Sequence, residues 1–232
     1  MIYDAKDDVY DFLIISPKNI TKIINISPLM KTLYCDYNKL SKLDNLPRLQ
    51  FLYCENNNLL KLDNLPQTLL ILNCRINKIL ALNYLPQELQ KLDCDFNNIF
   101  YLNNLPLKLQ ILICCANKLL KLDHLPPLII ELYCSNNNLS KLDNLPPSIT
   151  QLFCRHNKLS KLNNLPPELQ YLHCGNNNIS ILYNLPQTLQ TLYCYHNDIL
   201  VLDNIPQKLT KLECDKHLII NGDIIRLIVE RY

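Results

Sequence analysis

LQFLYCENNNLLKLDNLP, residues 49–66, is one copy of a frame that the chain repeats ten times. Its cysteine recurs as Cys35, Cys54, Cys74, Cys94, Cys114, Cys134, Cys154, Cys174, Cys194 and Cys214. The first interval is one residue short, because Pro47-Arg48-Leu49 stands where later copies have a four-residue spacer such as Pro66-Gln67-Thr68-Leu69. A fixed period of about twenty residues is the signature of a solenoid, in which each repeat is one coil of a stack.

With the cysteine as position 0, Leu49 and Leu52 stand at −5 and −2, and Leu59, Leu62 and Leu65 at +5, +8 and +11. The period of two puts Leu52 and Cys54 on one face of a short strand, and the later leucines turn back to meet them. One coil buries about six apolar side chains, worth roughly 9–18 kcal/mol, against roughly 20–40 kcal/mol of backbone entropy. A single copy therefore cannot fold, and stacking supplies the deficit through a parallel ladder spaced about 4.8 Å. The asparagine at +3 recurs as Asn38, Asn57, Asn77, Asn97, Asn117, Asn137, Asn157, Asn177 and Asn197. An inward amide there offers a donor and an acceptor to turn backbone that has no strand partner, so the ladder is read as structural. Leu-Pro at +11 and +12 favours an extended, polyproline-like return limb over a helix.

Over roughly residues 13–220 these motifs resemble the leucine-rich repeat family. The short period and the Leu-Pro limb are similar to the compact subclass of bacterial secreted effectors, and the Asn-rich, Cys-bearing copies resemble leucine-rich repeat proteins of giant amoebal viruses. The chain departs from the family in carrying Cys where an aliphatic residue is usual, and Asp-Asn in place of part of the proline-rich limb. The fold expected is an α/β-type solenoid of short parallel strands with little helix, wound as a right-handed superhelix that binds a protein on its concave face.

Three segments follow: an N-terminal cap and degenerate repeat over 1–28, about ten repeats over 29–220, and a C-terminal cap over 221–232. In the first, Leu13, Ile15, Ile20, Ile23 and Ile26 keep the apolar register without the cysteine. In the last, Asp223 can N-cap a short helix in which Arg226 and Glu230 form an i,i+4 pair, with a final strand as the alternative. The eighteen residues after Cys214 leave no room for the separate catalytic domain that some such effectors carry.

Lys and Arg total 23 against 21 acidic residues, and a net charge of +2 gives no general drive toward nucleic acid or membrane. The start lacks a basic, cleavable leader, and no apolar run reaches spanning length. Ten of the eleven cysteines form one inward column of parallel side chains, poorly placed for disulfides, and are read as reduced thiols acting as small hydrophobes. That points to a reducing, intracellular compartment, the host cytoplasm for a viral chain. No C-x-x-C pair supports zinc, no phosphate loop or nucleophile motif supports catalysis, and no cofactor is expected.

The outward strand positions carry the candidate site. The −1 column includes Tyr34, Tyr53, Tyr133, Phe153, His173 and Tyr193, with Tyr171 at −3. Aromatics offer large contact area at low entropic cost, although they also stack on one another across a ladder. Midway, Ile111, Ile113 and Cys115 face outward together, with Ile71, Ile76, Phe96 and Ala116 nearby, an apolar run that a partner or a second copy would cover. His156, His173 and His196 fall on the same side without metal spacing. Lys42, Lys61, Lys121, Lys141 and Lys161 at +7, with Asp44, Asp63, Asp123 and Asp143 at +9, form a mixed-charge stripe on the return limb. Two roles fit: a non-catalytic protein-binding module, or a self-associating protein joined through the central apolar patch.

Overall fold

The computed structural model describes residues 1–6, 10–15, 17–221 and 228–232. The chain divides into two compact units, Met1–Lys118 and Leu119–Tyr232. Each is a stack of β-coils, and no helix occurs among the described residues.

The N-terminal unit contains β1 (Ile2–Asp4), β2 (Phe12–Ile14), β3 (Lys22–Ile24), β4 (Thr32–Tyr34), β5 (Phe51–Tyr53), β6 (Ile71–Asn73), β7 (Lys91–Asp93) and β8 (Ile111–Ile113). Strands β2, β4, β5, β6, β7 and β8 pair in that order, all parallel, while β1 pairs with β3 on the return side. The short first interval does not disturb the ladder: Thr32 still faces Phe51, and Leu33 faces Leu52. The missing residue lies in the spacer turn, and the identical inward pattern of each strand holds the register.

The C-terminal unit contains β9 (Glu131–Tyr133), β10 (Gln151–Phe153), β11 (Tyr171–His173), β12 (Thr191–Tyr193), β13 (Val201–Leu202), β14 (Lys211–Cys214), β15 (Ile219–Ile220) and β16 (Ile228–Arg231). Strands β9, β10, β11, β12, β14 and β16 form its parallel ladder, and β13 pairs with β15 on the return limb.

In the repeats from Cys35 to Cys194 the apolar residues at −5, −2, +5 and +8 and the cysteine are buried. All ten column cysteines are buried thiols. They are not purely hydrophobic: Cys35 Sγ donates to the Tyr53 carbonyl at 3.4 Å, and Cys54 Sγ to that of Asn73 at 3.3 Å. Burial pushes the Cys54, Cys94, Cys154 and Cys174 thiols well above their ordinary range, which keeps them protonated.

The +3 asparagines tie neighbouring coils together. Asn57 Oδ1 accepts the Leu40 N–H of the preceding coil at 2.9 Å. Its Nδ2 donates to the Cys35 carbonyl of that coil at 3.0 Å and to Cys54 and Glu55 of its own at 3.2 and 3.1 Å. Asn77, Asn97 and Asn117 repeat the set, as do Asn157, Asn177 and Asn197. Each buried amide thus satisfies a backbone donor and carbonyls where the chain leaves the strand.

Two further positions turn the chain through the left-handed region. Position +2 has φ of 50 to 57° at Tyr37, Asn56, Ile76, Phe96, Ala116, Asn136, His156, Asn176 and His196. Position +10 does the same at Asn45, Asn64, Asn104, His124, Asn144, Asn164, Asn184 and Asn204. Asparagine is the least costly non-glycine residue there, which explains the Asn-Asn pair after the strand and the Asp-Asn before Leu-Pro.

The C-terminal cap differs from the expected helix. Ile228–Arg231 is strand β16, with Lys211 opposite Ile228 and Leu212 opposite Val229. Ile228 N–H donates to the Thr210 carbonyl and Tyr232 N–H to that of Cys214, each at 3.0 Å. A helix would leave the backbone groups of β14 without partners, whereas a strand pairs them. Glu230 lies 3.7 Å from Lys211 rather than in a helical pair, and Arg226 and the Asp223 cap lie outside the described residues.

Candidate functional site

Because inward and outward positions alternate along each strand, the −3 and −1 side chains stand on the opposite side of the ladder from the leucine core. On this strand face every such residue from β4 to β12 is half-buried, packed against its neighbours in adjacent coils.

In the N-terminal unit, Tyr53 stacks on Tyr34 with ring centroids 4.6 Å apart and an interplanar angle of 7°. Ile71 on β6 and Ile111 and Ile113 on β8 are half-buried; Phe96 is half exposed at the left-handed turn after Cys94. Ile76 occupies the same turn one coil earlier, an unfavourable conformation for a β-branched residue, at φ 51°. Among these apolar groups sit Asp36, Glu55, Asp93 and Asp95, with Arg75 and Lys91. Asp36 Oδ1 accepts the Glu55 N–H at 2.7 Å, and Asp95 accepts the Cys115 N–H, so each acid ties its coil to the next. Burial raises all three aspartates, and the neighbouring Asp93 charge helps to push Asp95 up to about 6. Arg75 lies over the Phe96 ring at 5.3 Å with Nη1 3.9 Å from Glu55, and its Nε is buried without a hydrogen-bond partner.

In the C-terminal unit the aromatics make a continuous row. Tyr133 stacks on Phe153 at 4.7 Å and Phe153 on Tyr171 at 4.6 Å. Edge contacts continue the row from Tyr171 and His173 to Tyr193 at 5.3 and 5.0 Å. Tyr195 extends it, 5.7 Å from the His173 ring and 4.8 Å from Tyr232. Burial, reinforced by the Arg155 charge, pushes His173 down to about 4, so it is neutral near pH 7 and shares a 3.2 Å hydrogen bond with the Tyr195 hydroxyl. Lys211 lies 5.0 Å over the Tyr193 ring and 2.8 Å from Glu213.

The structure therefore sets Tyr53 with Tyr34, and Tyr133, Phe153, Tyr171, His173 and Tyr193 in one row, whereas Lys91 and Asp93 on β7 stand between Ile71 on β6 and Ile111 and Ile113 on β8; Phe96 N–H donates to the Cys115 carbonyl. His156 and His196 are exposed and apart from any metal-binding cluster; none occurs among the described residues. Sequence reading took Cys115 from the outward +1 column but not Asp36, Asp95 or Tyr195, which stand at the same position in other coils. Tyr232 carried no such signal, because only the pairing of β16 brings it to the row.

No protein-family model matches the chain, and the curated proteins contain no match. Among solved structures, YopM from Yersinia enterocolitica WA-314 is 27% identical, with a TM-score of 0.85 over 95% of this chain and 59% of that one. The functional domain of InlJ from Listeria monocytogenes, described as including a cysteine ladder, is 30% identical, with a TM-score of 0.83 over 96% of this chain and 57% of that one. YopM from Yersinia pestis, described as a leucine-rich effector protein, shares the fold at 23% identity and a TM-score of 0.57, over 98% of this chain and 84% of that one. The chain spans less than two thirds of the first two proteins. Its fold is that of a leucine-rich repeat protein similar to these bacterial neighbours.

Proposed function

We propose that this leucine-rich repeat chain is a non-catalytic interaction module that binds a protein partner through its strand face. In this reading the ladder winds as a right-handed superhelix with that face on the concave side. The chain acts, effector-like, in a reducing compartment where its thiol column stays reduced. The observation that carries the proposal is the unbroken aromatic row from Tyr133 to Tyr232, in which each ring is held by its neighbours. Rings already immobilised lose little further entropy on binding, and their outer edges remain available for contact. The apolar group of Ile71, Phe96, Ile111, Ile113 and Cys115 supplies a second contact area on the face of the N-terminal unit.

Cross-linking and pull-down from a cellular extract, read by mass spectrometry, test the proposal. Proteins captured by the wild type should be lost with Tyr133→Ala plus Tyr193→Ala, or with Ile111→Lys plus Ile113→Lys. They should be retained with Lys121→Glu plus Lys141→Glu on the return limb. Equal capture by all four chains would remove the strand face from the account.

A further inference from the structure

We propose that the return-limb face of the N-terminal unit is a self-association surface on which a second copy of this chain seats. The inference is independent of the strand-face reading. It starts from the repeat's own pattern. At +6 and +7 several coils carry Ser-Lys, as in Ser41-Lys42, Ser140-Lys141 and Ser160-Lys161, with Asp or Asn at +9. Two successive coils instead carry Leu80-Ala81 and Phe100-Tyr101, and both lose the lysine and the acid; the coil before them has Leu60 at +6. Where the other complete coils place a left-handed Asn or His at +10, Tyr84 stands outside that conformation.

These substitutions serve no core. Leu60 and Leu80 are each 55% exposed, Tyr84 83%, Phe100 41% and Tyr101 46%. The scaffold position accepts serine and lysine elsewhere in the same chain, so folding does not require apolar residues there. Backbone hydrogen bonds from Leu80 to Leu60 at 3.3 Å and from Asn98 to Ile79 at 2.9 Å hold the three coils in step, so the side chains form one stripe. Leu60, Leu80, Ala81 and Tyr84 line a cleft of about 320 Å³. By contrast, Ile71, Ile111 and Ile113 on the strand face are half-buried.

Area and charge select the occupant. The five exposed side chains present roughly 600 Å² per copy, so two copies face to face cover about 1,200 Å², the lower edge of specific interfaces. The cleft is bordered by the Lys61–Asp63 ion pair, which offers both signs at once. A two-fold-related copy brings the same pair in reverse, lysine toward aspartate, whereas a strongly acidic or basic partner finds no net charge to meet.

Sedimentation equilibrium of the full chain tests this. The wild type should form a dimer at micromolar concentration. Leu80→Ser with Phe100→Ser, or Ala81→Lys with Tyr101→Lys, should weaken the dimer at least tenfold with an unchanged circular dichroism spectrum. Both variants restore residues that other coils already carry at these positions. Tyr84→Asn, restoring the usual +10 residue, is a milder third variant, readable even where the double variants fold poorly, and should weaken the dimer less. A wild type that stays monomeric at roughly 100 μM overturns the proposal. So does a dimer indifferent to all three variants; its loss with Ile111→Lys plus Ile113→Lys would place self-association on the strand face.

Discussion

Asn117 shows how much one side chain does in a stacked fold. Its Oδ1 accepts the Ile99 N–H at 3.0 Å, and its Nδ2 donates to Cys94, Cys114 and Cys115 carbonyls at 3.0, 3.3 and 3.1 Å. Asn117→Ala should cost about 1–3 kcal/mol in urea unfolding, because buried backbone groups lose their partners. A loss of only a few tenths would mean that water replaces the amide. Asn38 bonds Lys18, Ile20 and Ile15 of the degenerate coil, so Asn38→Ala should cost as much, despite its place near the end of the stack. Ile76 predicts the opposite sign. Ile76→Asn, matching Asn56 at the same turn, should stabilise by about 1 kcal/mol by relieving a β-branched residue at positive φ. Two titrating groups act oppositely on stability. Asp95, raised from 3.8 to about 6, binds its proton more tightly when folded, so its contribution is complete below pH 4 and lost as pH rises through 6. His173, lowered from 6.5 to about 4, contributes stability above pH 6.5 that is lost as pH falls through 4. Urea midpoints against pH should therefore lose, in Asp95→Asn, the decline on raising pH from about 4 through 6, since Asn can still accept the Cys115 N–H. They should lose the acid-side decline in His173→Phe, a ring already present in that column as Phe153.

At the scale of the element, the last strand is the part most open to test. β16 covers the edge of β14, and the Arg231 guanidinium donates to the Lys216 and Leu218 carbonyls at 3.0 and 3.1 Å. Removing Ile228–Tyr232 should speed amide exchange across Lys211–Cys214 first, with little change in β9 and β10, since coils in a stack feel mainly their nearest neighbours. Uniformly faster exchange along the ladder would contradict that locality. The run Ile228-Val229-Glu230-Arg231, two apolar residues followed by two charged ones, fitted either element, and the open backbone of β14 decided for the strand.

For the whole molecule, the column of ten cysteines makes a prediction about environment. Intact mass under non-reducing conditions should give eleven thiols, all but Cys115 slow to alkylate in the native state, because the column is buried and protonated. A ladder of successive disulfides would exclude the reducing compartment. Cys114→Val should be tolerated within about 1–2 kcal/mol. No helix among the described residues is long and apolar enough to cross a membrane.

The period, the inward leucines, the parallel register and the thiol column were readable from the chain alone, because every coil repeats the same neighbours and one copy stands for all. The need of the +3 amide for backbone partners was readable too; which groups it joins was not. The left-handed turns were hidden by the abundance of asparagine, and became plain only where Ile76 and Phe96 occupy the same φ. Tertiary structure alone decided three things: that the strand-face aromatics hold one another half-buried, that Tyr232 returns to the row, and that the most exposed apolar stripe lies on the return limb. Periodic pattern records contacts between equivalent positions in adjacent coils. Exposure, chain ends and departures from the repeat depend on what packs around each side chain in space, which no fixed spacing encodes.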